Sequence, residues 1–260
     1  MKRIIALLLA VMLMVTAFVG CGKTPADDLA NVKKAGKLVV GITVFKPMDF
    51  EDENGDWIGF DADMAKAFAK SLGVDAEFRV IDWDNKVLEL DSYTVDVIWN
   101  GMTLTDEVMA AMDCSDAYCN NQQIVIVPTD KADMYKTVDS VKSLNFAVEK
   151  GSAGQKHAVA IGANVKEVVD QATALAEVKS GNSDAAVIDS LMAGAMVGKG
   201  TDYEDLTYTV GLNDEKYGVG FRKGSDLTEK LNQFFKDSYA SGEMMKIAEK
   251  YGVQASIIAQ

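Results

Sequence analysis

Histidine is nearly absent from this chain of 260 residues, since His157 is its only one. Cysteine occurs three times, and no two cysteines stand in a CxxC arrangement. Zinc and haem sites depend on clustered histidine and cysteine ligands, so the sequence predicts no metal and no other cofactor. It also lacks a glycine-rich phosphate loop and a Ser/His/Asp set with a nucleophile elbow. These absences argue against nucleotide-dependent, hydrolytic and metal-dependent catalysis.

Basic residues are scarce as well. The chain has 26 Lys and Arg against 39 Asp and Glu, which gives a formal net charge of −13. Nucleic acids bind to basic surfaces that neutralise their phosphates, so the sequence argues against a nucleic-acid partner. The same charge keeps the protein body away from anionic lipid and keeps an exported protein soluble. We expect a monomer, because no oligomer signal stands out.

Long apolar runs are missing except at the start of the chain. Met1-Lys2-Arg3 precedes an apolar stretch at residues 4–19, and Gly20-Cys21 ends it. A charged start, a short apolar centre and a small residue before the cut predict a secretory signal peptide at residues 1–20. Phe18-Val19-Gly20-Cys21 resembles the bacterial lipobox, which implies acylation of Cys21 and an extracytoplasmic protein anchored to a bacterial membrane by lipid. The alternative is a secreted protein with a free cysteine near its start.

The other two cysteines, Cys114 and Cys119, lie five residues apart. Outside the cytoplasm a disulfide between them is chemically allowed, and its geometry decides whether it forms. The alternative is two buried thiols that pack as small apolar side chains. The sequence leaves both alternatives open.

Strand-like and helix-like segments alternate along the rest of the chain. Residues 37–44 are almost continuously apolar, as in a buried parallel strand, and residues 61–72 repeat apolar side chains on one helical face before Gly73. The predicted strands are residues 37–44, 76–81, 95–99, 123–127, 145–148, 165–169, 185–188 and 216–221, and the predicted helices are residues 61–72, 85–90, 155–161, 172–178, 190–197, 227–239 and 243–251. This alternation predicts an α/β fold with parallel-rich sheets flanked by helices.

The strand–helix series occurs twice, which predicts two lobes joined by two crossings near residues 120–128 and 214–222. The predicted division is residues 36–121 and 218–260 for lobe 1, residues 122–217 for lobe 2, and residues 21–35 for a lipid-anchored tether and lead-in. Ligands of such sheets bind beyond the carboxyl ends of the strands. We therefore expect a ligand site between the lobes.

Five segments spread over residues 36–252 resemble, in the expected order, the extracellular solute-binding proteins of family 3, the amino-acid receptors of ABC importers. The segments are Gly59 to Ala69, Asn100 to Glu107, Val148 to Gly154, Asp184 to Asp189 and Lys216 to Gly224. The resemblance implies a two-lobed periplasmic-binding-protein-like fold (type II) with two hinge crossings. It also implies a function, the capture of a small amino-acid-like or amine solute for an ABC permease.

The resemblance implies particular ligand contacts in the first lobe. Phe45 and Trp83 fall where the family places aromatic walls around the ligand, and the alternative for each is a place in the core. Asn100, Gly101 and Thr103 belong to the segment that resembles the first-lobe ligand loop. Glycine there allows a ligand to approach the main chain closely. The alternative is an ordinary turn from strand to helix.

Further contacts are implied in the second lobe. Ser152 and Ala153 stand at the start of a helix, where free N–H groups form a natural carboxylate site, and the alternative is a Ser152 cap that serves only its helix. Asp189 ends an apolar strand, where an unpaired charge is unfavourable. The resemblance implies a ligand ammonium as its partner, and capping of the helix that starts at Ser190 is the local alternative.

One departure from the family pattern concerns Val108. The family normally has an arginine here, whose planar fork binds the ligand α-carboxylate with two hydrogen bonds. Three explanations compete: the ligand lacks an α-carboxylate, another cation such as Lys150 or Arg222 substitutes, or the protein binds its ordinary ligand weakly or not at all. Glu149 and Lys150 either line the cleft or face solvent, and we favour solvent for both. For Trp99 we favour packing in the core over stacking on a ligand.

The main alternative function is an enzyme on the same fold, as in dehydratase relatives that use a carboxyl of the cleft as a general acid. Glu149 or Asp189 would serve if burial raised its pKa. Two further interpretations are a receptor that has lost its usual ligand binding and a sensor domain. The resemblance favours a binding protein without catalytic residues.

Overall fold

Two β-sheets organise the chain in the computed structural model, which describes residues 27–260. The predicted signal peptide at residues 1–20 and the predicted lipid attachment at Cys21 lie outside the described residues. None of the helices within residues 27–260 is both long enough and apolar enough to cross a membrane.

Short strands and helices alternate along the described residues. The strands are Lys37–Ile42 (β1), Phe50–Glu51 (β2), Trp57–Ile58 (β3), Asp75–Val80 (β4), Val97–Thr103 (β5), Asp113–Cys114 (β6), Cys119–Asn121 (β7), Gln123–Pro128 (β8), Asn145–Glu149 (β9), Asn164–Val168 (β10), Ala185–Asp189 (β11), Leu206–Gly211 (β12) and Glu215–Phe221 (β13). The α-helices are Asp28–Ala35 (α1), Phe60–Leu72 (α2), Lys86–Asp91 (α3), Asp106–Ala111 (α4), Val138–Val141 (α5), Ala153–Ala160 (α6), Gln171–Lys179 (α7), Ser190–Met196 (α8), Leu227–Ala240 (α9) and Glu243–Tyr251 (α10).

The first sheet has the strand order β4-β1-β5-β13-β6, and β7 also pairs with β13. β1 runs parallel to β4 and β5, whereas β13 runs antiparallel to β5. Its core is aromatic: the Trp99 ring lies 6.3 Å from Phe68 on α2 and 5.5 Å from Phe235 on α9. Trp99 is fully buried, so the prediction that it packs in the core is confirmed.

The second sheet has the strand order β10-β9-β11-β8-β12. β9 runs parallel to β10 and β11, and β8 runs antiparallel to β11 and β12. The chain enters this sheet between β7 and β8 and returns to the first sheet between β12 and β13. Antiparallel pairs are found at the strands next to these crossings, and the predicted α/β fold with parallel-rich sheets is confirmed.

Several elements escaped prediction from the sequence. Residues 28–35, expected as part of a lead-in, form α1, which Asp27 caps and which ends at Gly36 in the left-handed conformation. β12 also was not predicted, because it lies at the edge of the sheet with only Leu206 and Val210 buried and lacks a continuous apolar run. β13 begins at Glu215, so the predicted lobe boundary between residues 217 and 218 falls inside this strand.

The two described cysteines are free thiols. Cys114 on β6 pairs with Gly220, and Cys119 on β7 pairs with Tyr217, three residues away along β13. Three residues of strand span roughly 10 Å, and a disulfide needs Cα atoms within about 7 Å. Burial raises the pKa of the Cys114 thiol to about 11, so it stays protonated and packs as an apolar side chain.

Arg222, considered above as a substitute for the missing arginine, is buried at the other end of β13 from the strand ends near Asp189. Its guanidinium binds the buried Asp28 carboxylate at 3.1 Å and Asp96 at 3.3 Å. It also donates to the carbonyl oxygens of Leu90 and Val95 at 2.9 and 2.7 Å. These partners fix α1 to the first sheet and leave Arg222 no access to a ligand.

Candidate functional site

A cavity of about 440 Å³ lies beyond the strand ends of both sheets. The eight residues that the sequence predicts as ligand contacts all line it: Phe45, Trp83, Asn100, Gly101, Thr103, Ser152, Ala153 and Asp189. Val108 lines it too. Within residues 27–260 no group of three or more His, Cys, Asp or Glu side chains is arranged to hold a metal ion.

The segment Gly59-Phe60-Asp61 positions one wall of this cavity. Gly59 has a φ of +128°, and a Cβ there would lie 2.1 Å from the carbonyl oxygen of Met48. The buried Asp61 carboxylate then accepts a hydrogen bond of 2.7 Å from the Gly101 N–H. Gly101 has a φ of +53°, and a Cβ there would lie 2.3 Å from the Phe45 ring. Two glycines and one carboxylate therefore fix the backbone of the last part of β5.

Two aromatic residues of the cavity wall are also part of the core. The Phe45 ring packs edge-on against Tyr217 with centroids 6.2 Å apart, and Trp83 belongs to an apolar cluster with Ile98 and Met102. Both rings are buried and still border the cavity. The sequence analysis left open whether each ring borders the ligand site or packs in the core. Each ring does both, with one part in the core and another part facing the cavity.

The polar side chains at the end of β5 are already hydrogen-bonded within the protein. The Asn100 carboxamide oxygen accepts from the N–H and the hydroxyl of Thr43 at 3.0 and 2.8 Å, and its amide nitrogen donates to Asp49 at 2.8 Å. The Thr103 hydroxyl donates to a Glu215 oxygen at 3.0 Å. These side chains hold the strand end in place and leave its backbone to meet a ligand.

Asp189 lies at the end of β11 within a network of donors. Tyr217 and Gln123 donate to one carboxylate oxygen at 2.7 and 2.8 Å, and the side-chain amide of Asn121 donates to the same oxygen. The side-chain amide of Gln171 donates to the other oxygen. The carboxylate makes no capping hydrogen bond to α8, so the local capping alternative is not what the structure contains.

Burial makes the cavity carboxyl groups weak acids. It raises the pKa of Asp189 to about 8, and the nearby Glu215 carboxylate adds repulsion. It also raises the pKa of Glu149 to about 8, with Asp189 as the next cause. Glu149 is only 3% exposed, so the expectation that it faces solvent is wrong. Its position at the end of β9 turns the side chain inward, where its Oε1 has no hydrogen-bond partner among the described residues.

Sequence reasoning missed several polar residues of the cavity wall: Lys86, Glu107, Gln123, Gln155, Lys156 and Gln171. Gln123 is the first residue of β8 and Gln171 is the first residue of α7. The signal in the sequence was a glutamine at the start of an otherwise apolar segment. Nothing in the spacing marks Lys86, which reads as an ordinary helix residue. Ser152 does cap its helix, since its hydroxyl accepts from the Gln155 N–H at 3.1 Å.

Contacts around the cavity join the loops of the two sheets. Lys150, which faces solvent as expected, pairs with Asp84 at 3.0 Å, and Lys156 pairs with Glu107 at 2.6 Å. Gly151 has a φ of +73°, and a Cβ there would lie 2.7 Å from the Asp84 Cα. The main chains of the two sides therefore come close together at a residue without a side chain.

The close approach at Gly151 predicts that a methyl group there separates the two sides. We expect Gly151→Ala to have a larger radius of gyration in small-angle X-ray scattering than the unchanged protein. Gly162→Ala is the matched control, because Gly162 has a φ of +82° and nothing within 4 Å of an added Cβ. Both variants carry backbone strain of about 1 kcal/mol, so identical scattering from the two would contradict the prediction.

The raised pKa of Glu149 predicts that the ligand-free protein loses stability in alkali. Unfolded Glu149 would lose its proton near its ordinary pKa of 4.5, whereas the folded residue keeps it up to about 8. The free energy of unfolding therefore falls as the pH rises through this window. We expect Glu149→Gln to be more stable than the unchanged protein at pH 9 by roughly 1–3 kcal/mol, since each pKa unit corresponds to about 1.4 kcal/mol.

Urea denaturation at pH 5, 7 and 9 measures this difference. The control is Glu107→Gln, which alters a carboxylate at the exposed rim whose pKa the Lys156 ammonium lowers to about 2. Its proton is lost well below the window, so the alkaline loss of stability should remain in this variant. A stability of the unchanged protein that does not vary between pH 5 and 9 would refute the assignment.

Comparison with known proteins places the chain among solute receptors. A profile of the bacterial extracellular solute-binding proteins, family 3, matches residues 38–254. The L-cystine-binding protein TcyJ of Escherichia coli (strain K12) is 29% identical over 235 residues, which are 88% of each chain. The arginine-binding extracellular protein ArtP of Bacillus subtilis (strain 168) is 27% identical over 257 residues, which cover 96% of this chain and 98% of that protein.

Solved structures give the same picture. The substrate-binding protein of an ABC uptake transporter from Streptococcus pneumoniae, with bound histidine, has a TM-score of 0.80 at 27% identity and covers 90% of this chain and 99% of its own. The ancestral amino acid-binding protein AncCDT-1, a precursor of cyclohexadienyl dehydratase, has a TM-score of 0.78 at 32% identity. That match covers 86% of this chain and 98% of the ancestral protein.

Proposed function

Because the chain belongs to the bacterial extracellular solute-binding proteins, family 3, we propose that it captures an amino acid or a related small amine and delivers it to an ABC permease. The observation that carries this proposal is the Asp189 carboxyl beside the cavity. Burial disfavours its charged form, and a ligand ammonium would restore that form by pairing with it. A cationic group is therefore the ligand feature that the site supports best.

Glu149 supports a second cationic or N–H-bearing group on the ligand. Its buried Oε1 has no partner within the described residues, and buried polar atoms are normally hydrogen-bonded. A guanidinium, an imidazole or an amide N–H of the ligand would satisfy it. This agrees with the arginine and the histidine that the similar proteins above are named for or contain.

The two sheets support a mechanism of closure. We propose the predicted two lobes, residues 36–121 with 218–260 and residues 122–217, with their second boundary moved to the start of β13 at Glu215. Lobe 1 would supply Phe45, Trp83, Asn100, Gly101 and Thr103, and lobe 2 would supply Ser152, Ala153 and Asp189. A ligand that contacts both lobes shifts the population toward the closed form, which the permease would recognise.

A screen of thermal unfolding tests this function on the purified protein. Amino acids, polyamines, small peptides and other amines are added one at a time, and a single chemical class is expected to stabilise it. At a hundredfold excess over Kd the stabilisation is about 2.7 kcal/mol, which raises the Tm by roughly 5–10 °C. Asp189→Asn should lose this shift, because asparagine imitates the protonated carboxyl and cannot pair with an ammonium.

The control for this screen is Asp116→Asn, which changes an exposed carboxylate outside the cavity and should leave the shift intact. An unaltered shift in Asp189→Asn would show that the Asp189 carboxylate does not bind the ligand.

A catalytic function is the second candidate. The pKa of Glu149, about 8, keeps the residue protonated as a general acid needs, and AncCDT-1 is a precursor of a dehydratase. Turnover of a cyclohexadienyl substrate would favour it over the binding function.

The family also determines where the protein works. Its members are extracellular proteins, so the chain acts outside the cytoplasm. We propose in addition that residues 1–20 are removed and that acylation of Cys21 anchors the mature protein. Several acyl chains on one residue hold a protein firmly, whereas one chain is marginal.

The proposed anchor predicts that Cys21→Ser releases the protein from the membrane fraction. Fractionation of cells that produce either form measures this, and Cys114→Ser is the control because Cys114 lies within the first sheet. Equal membrane association of the unchanged protein and Cys21→Ser would exclude a lipid anchor at this residue.

A further inference from the structure

The cavity contains one buried cation that no part of the function above uses. Lys86, at the start of α3, is 8% exposed and lines the cavity. The other lysine of the wall, Lys156, is exposed and lies 2.6 Å from both oxygens of Glu107. Arg222 is bound inside the first sheet, and Lys150 pairs with Asp84 outside the cavity. Lys86 is therefore the cation available to a ligand.

The ammonium of Lys86 is held in place but is not neutralised by a direct ion pair. It donates to the carbonyl oxygens of Trp83 and Gly151, both at 3.1 Å, and it lies 4.9 Å from the centre of the Trp83 ring. An ammonium has three N–H donors, so one has no partner among the described residues. Lys86 forms none of the ion pairs within 4.0 Å among the described residues, although an unpaired buried charge is unfavourable.

Lys86 lies on the same wall as Val108. Val108 packs against the apolar cluster that contains Trp83. The Lys86 ammonium makes a cation–π contact with the Trp83 ring. Both residues border the cavity. The cavity that has valine at residue 108 thus also has a buried lysine in its wall.

We propose that Lys86 binds the carboxylate of the ligand, a contact that the family resemblance assigns to an arginine where this chain has Val108. This inference rests on the proposed function, because it assigns one contact of the same site. With Asp189 on the ammonium and Lys86 on the carboxylate, the cavity selects a zwitterionic amino acid over the amine that lacks the carboxylate. Burial lowers the pKa of Lys86, with the Glu149 and Asp84 carboxylates opposing that shift, and a bound carboxylate adds to the opposition.

Pairs of probes that differ only in the carboxylate test this assignment by isothermal titration calorimetry. The pairs are L-arginine and agmatine, L-histidine and histamine, and L-ornithine and putrescine. We expect the unchanged protein to prefer the amino acid of at least one pair by about 30-fold or more, as for removal of one partner of a buried charge pair. Lys86→Met should reduce this preference to about threefold or less, and Lys86→Arg should retain it.

The preference between probes separates a ligand contact from a structural role. Lys150→Met removes a pair between the same two loops without touching the cavity wall, so it should leave the preference unchanged. The double variant Lys86→Met with Val108→Arg should regain the preference, because it restores a cation on this wall.

Each remaining outcome overturns a distinct claim. A preference that survives in Lys86→Met excludes Lys86 as the carboxylate partner and leaves the receptor function standing. Equal or tighter binding of the amines by the unchanged protein also overturns the assignment while supporting an amine receptor. Failure of every probe to bind, together with a negative thermal screen, overturns the receptor function and this inference with it.

Discussion

The buried Asp189 carboxylate is the group on which the arrangement of the cavity depends. Its donors come from both crossings of the chain, with Asn121 and Gln123 on the outward path and Tyr217 on the return. Asn121 and Gln123 also donate to Glu215 at 2.7 and 2.8 Å. Hydrogen bonds are stronger in a low dielectric than in water, although the Gln123 Oε1 has no partner among the described residues. The same hydrogen bonds that orient the proposed ammonium contact therefore also hold the two sheets together.

Electrostatic balance in the cavity differs from that of a receptor built around arginine. A guanidinium binds a carboxylate through two parallel hydrogen bonds, which fixes the orientation of the ligand. A lysine ammonium is a compact charge on a flexible stem, and here two carbonyl oxygens and an indole ring restrain it. Orientation of a ligand would then depend more on the aromatic walls and on Asp189. With the proposed lysine contact, the site would tolerate more variation in the ligand backbone than an arginine fork does.

The sequence predicted most elements of the fold because burial in strands and helices is periodic and local. β1 and α2 are found within a residue or two of their predicted ends. The cavity wall, including the charged Asp189, was predicted through a family resemblance, whereas the buried Glu149 and Lys86 were not. Whether Glu149 points inward depends on the register of β9 against β10 and β11, and whether Lys86 is buried depends on the loop of the other sheet that covers it. Such contacts between distant segments produce no periodic pattern in the sequence, so they cannot be predicted from it.

The weak acidity of Asp189 and Glu149 has a consequence for the energetics of capture outside the cell. At neutral pH Glu149, whose pKa burial raises to about 8, holds its proton in the ligand-free cavity, and a ligand cation that pairs with it favours its ionised form. Capture of such a solute then becomes an exchange of one cation for a proton. The heat measured for solute binding would then include the ionisation of the buffer that takes up the proton. A lower pH outside the cell would weaken binding of the solute.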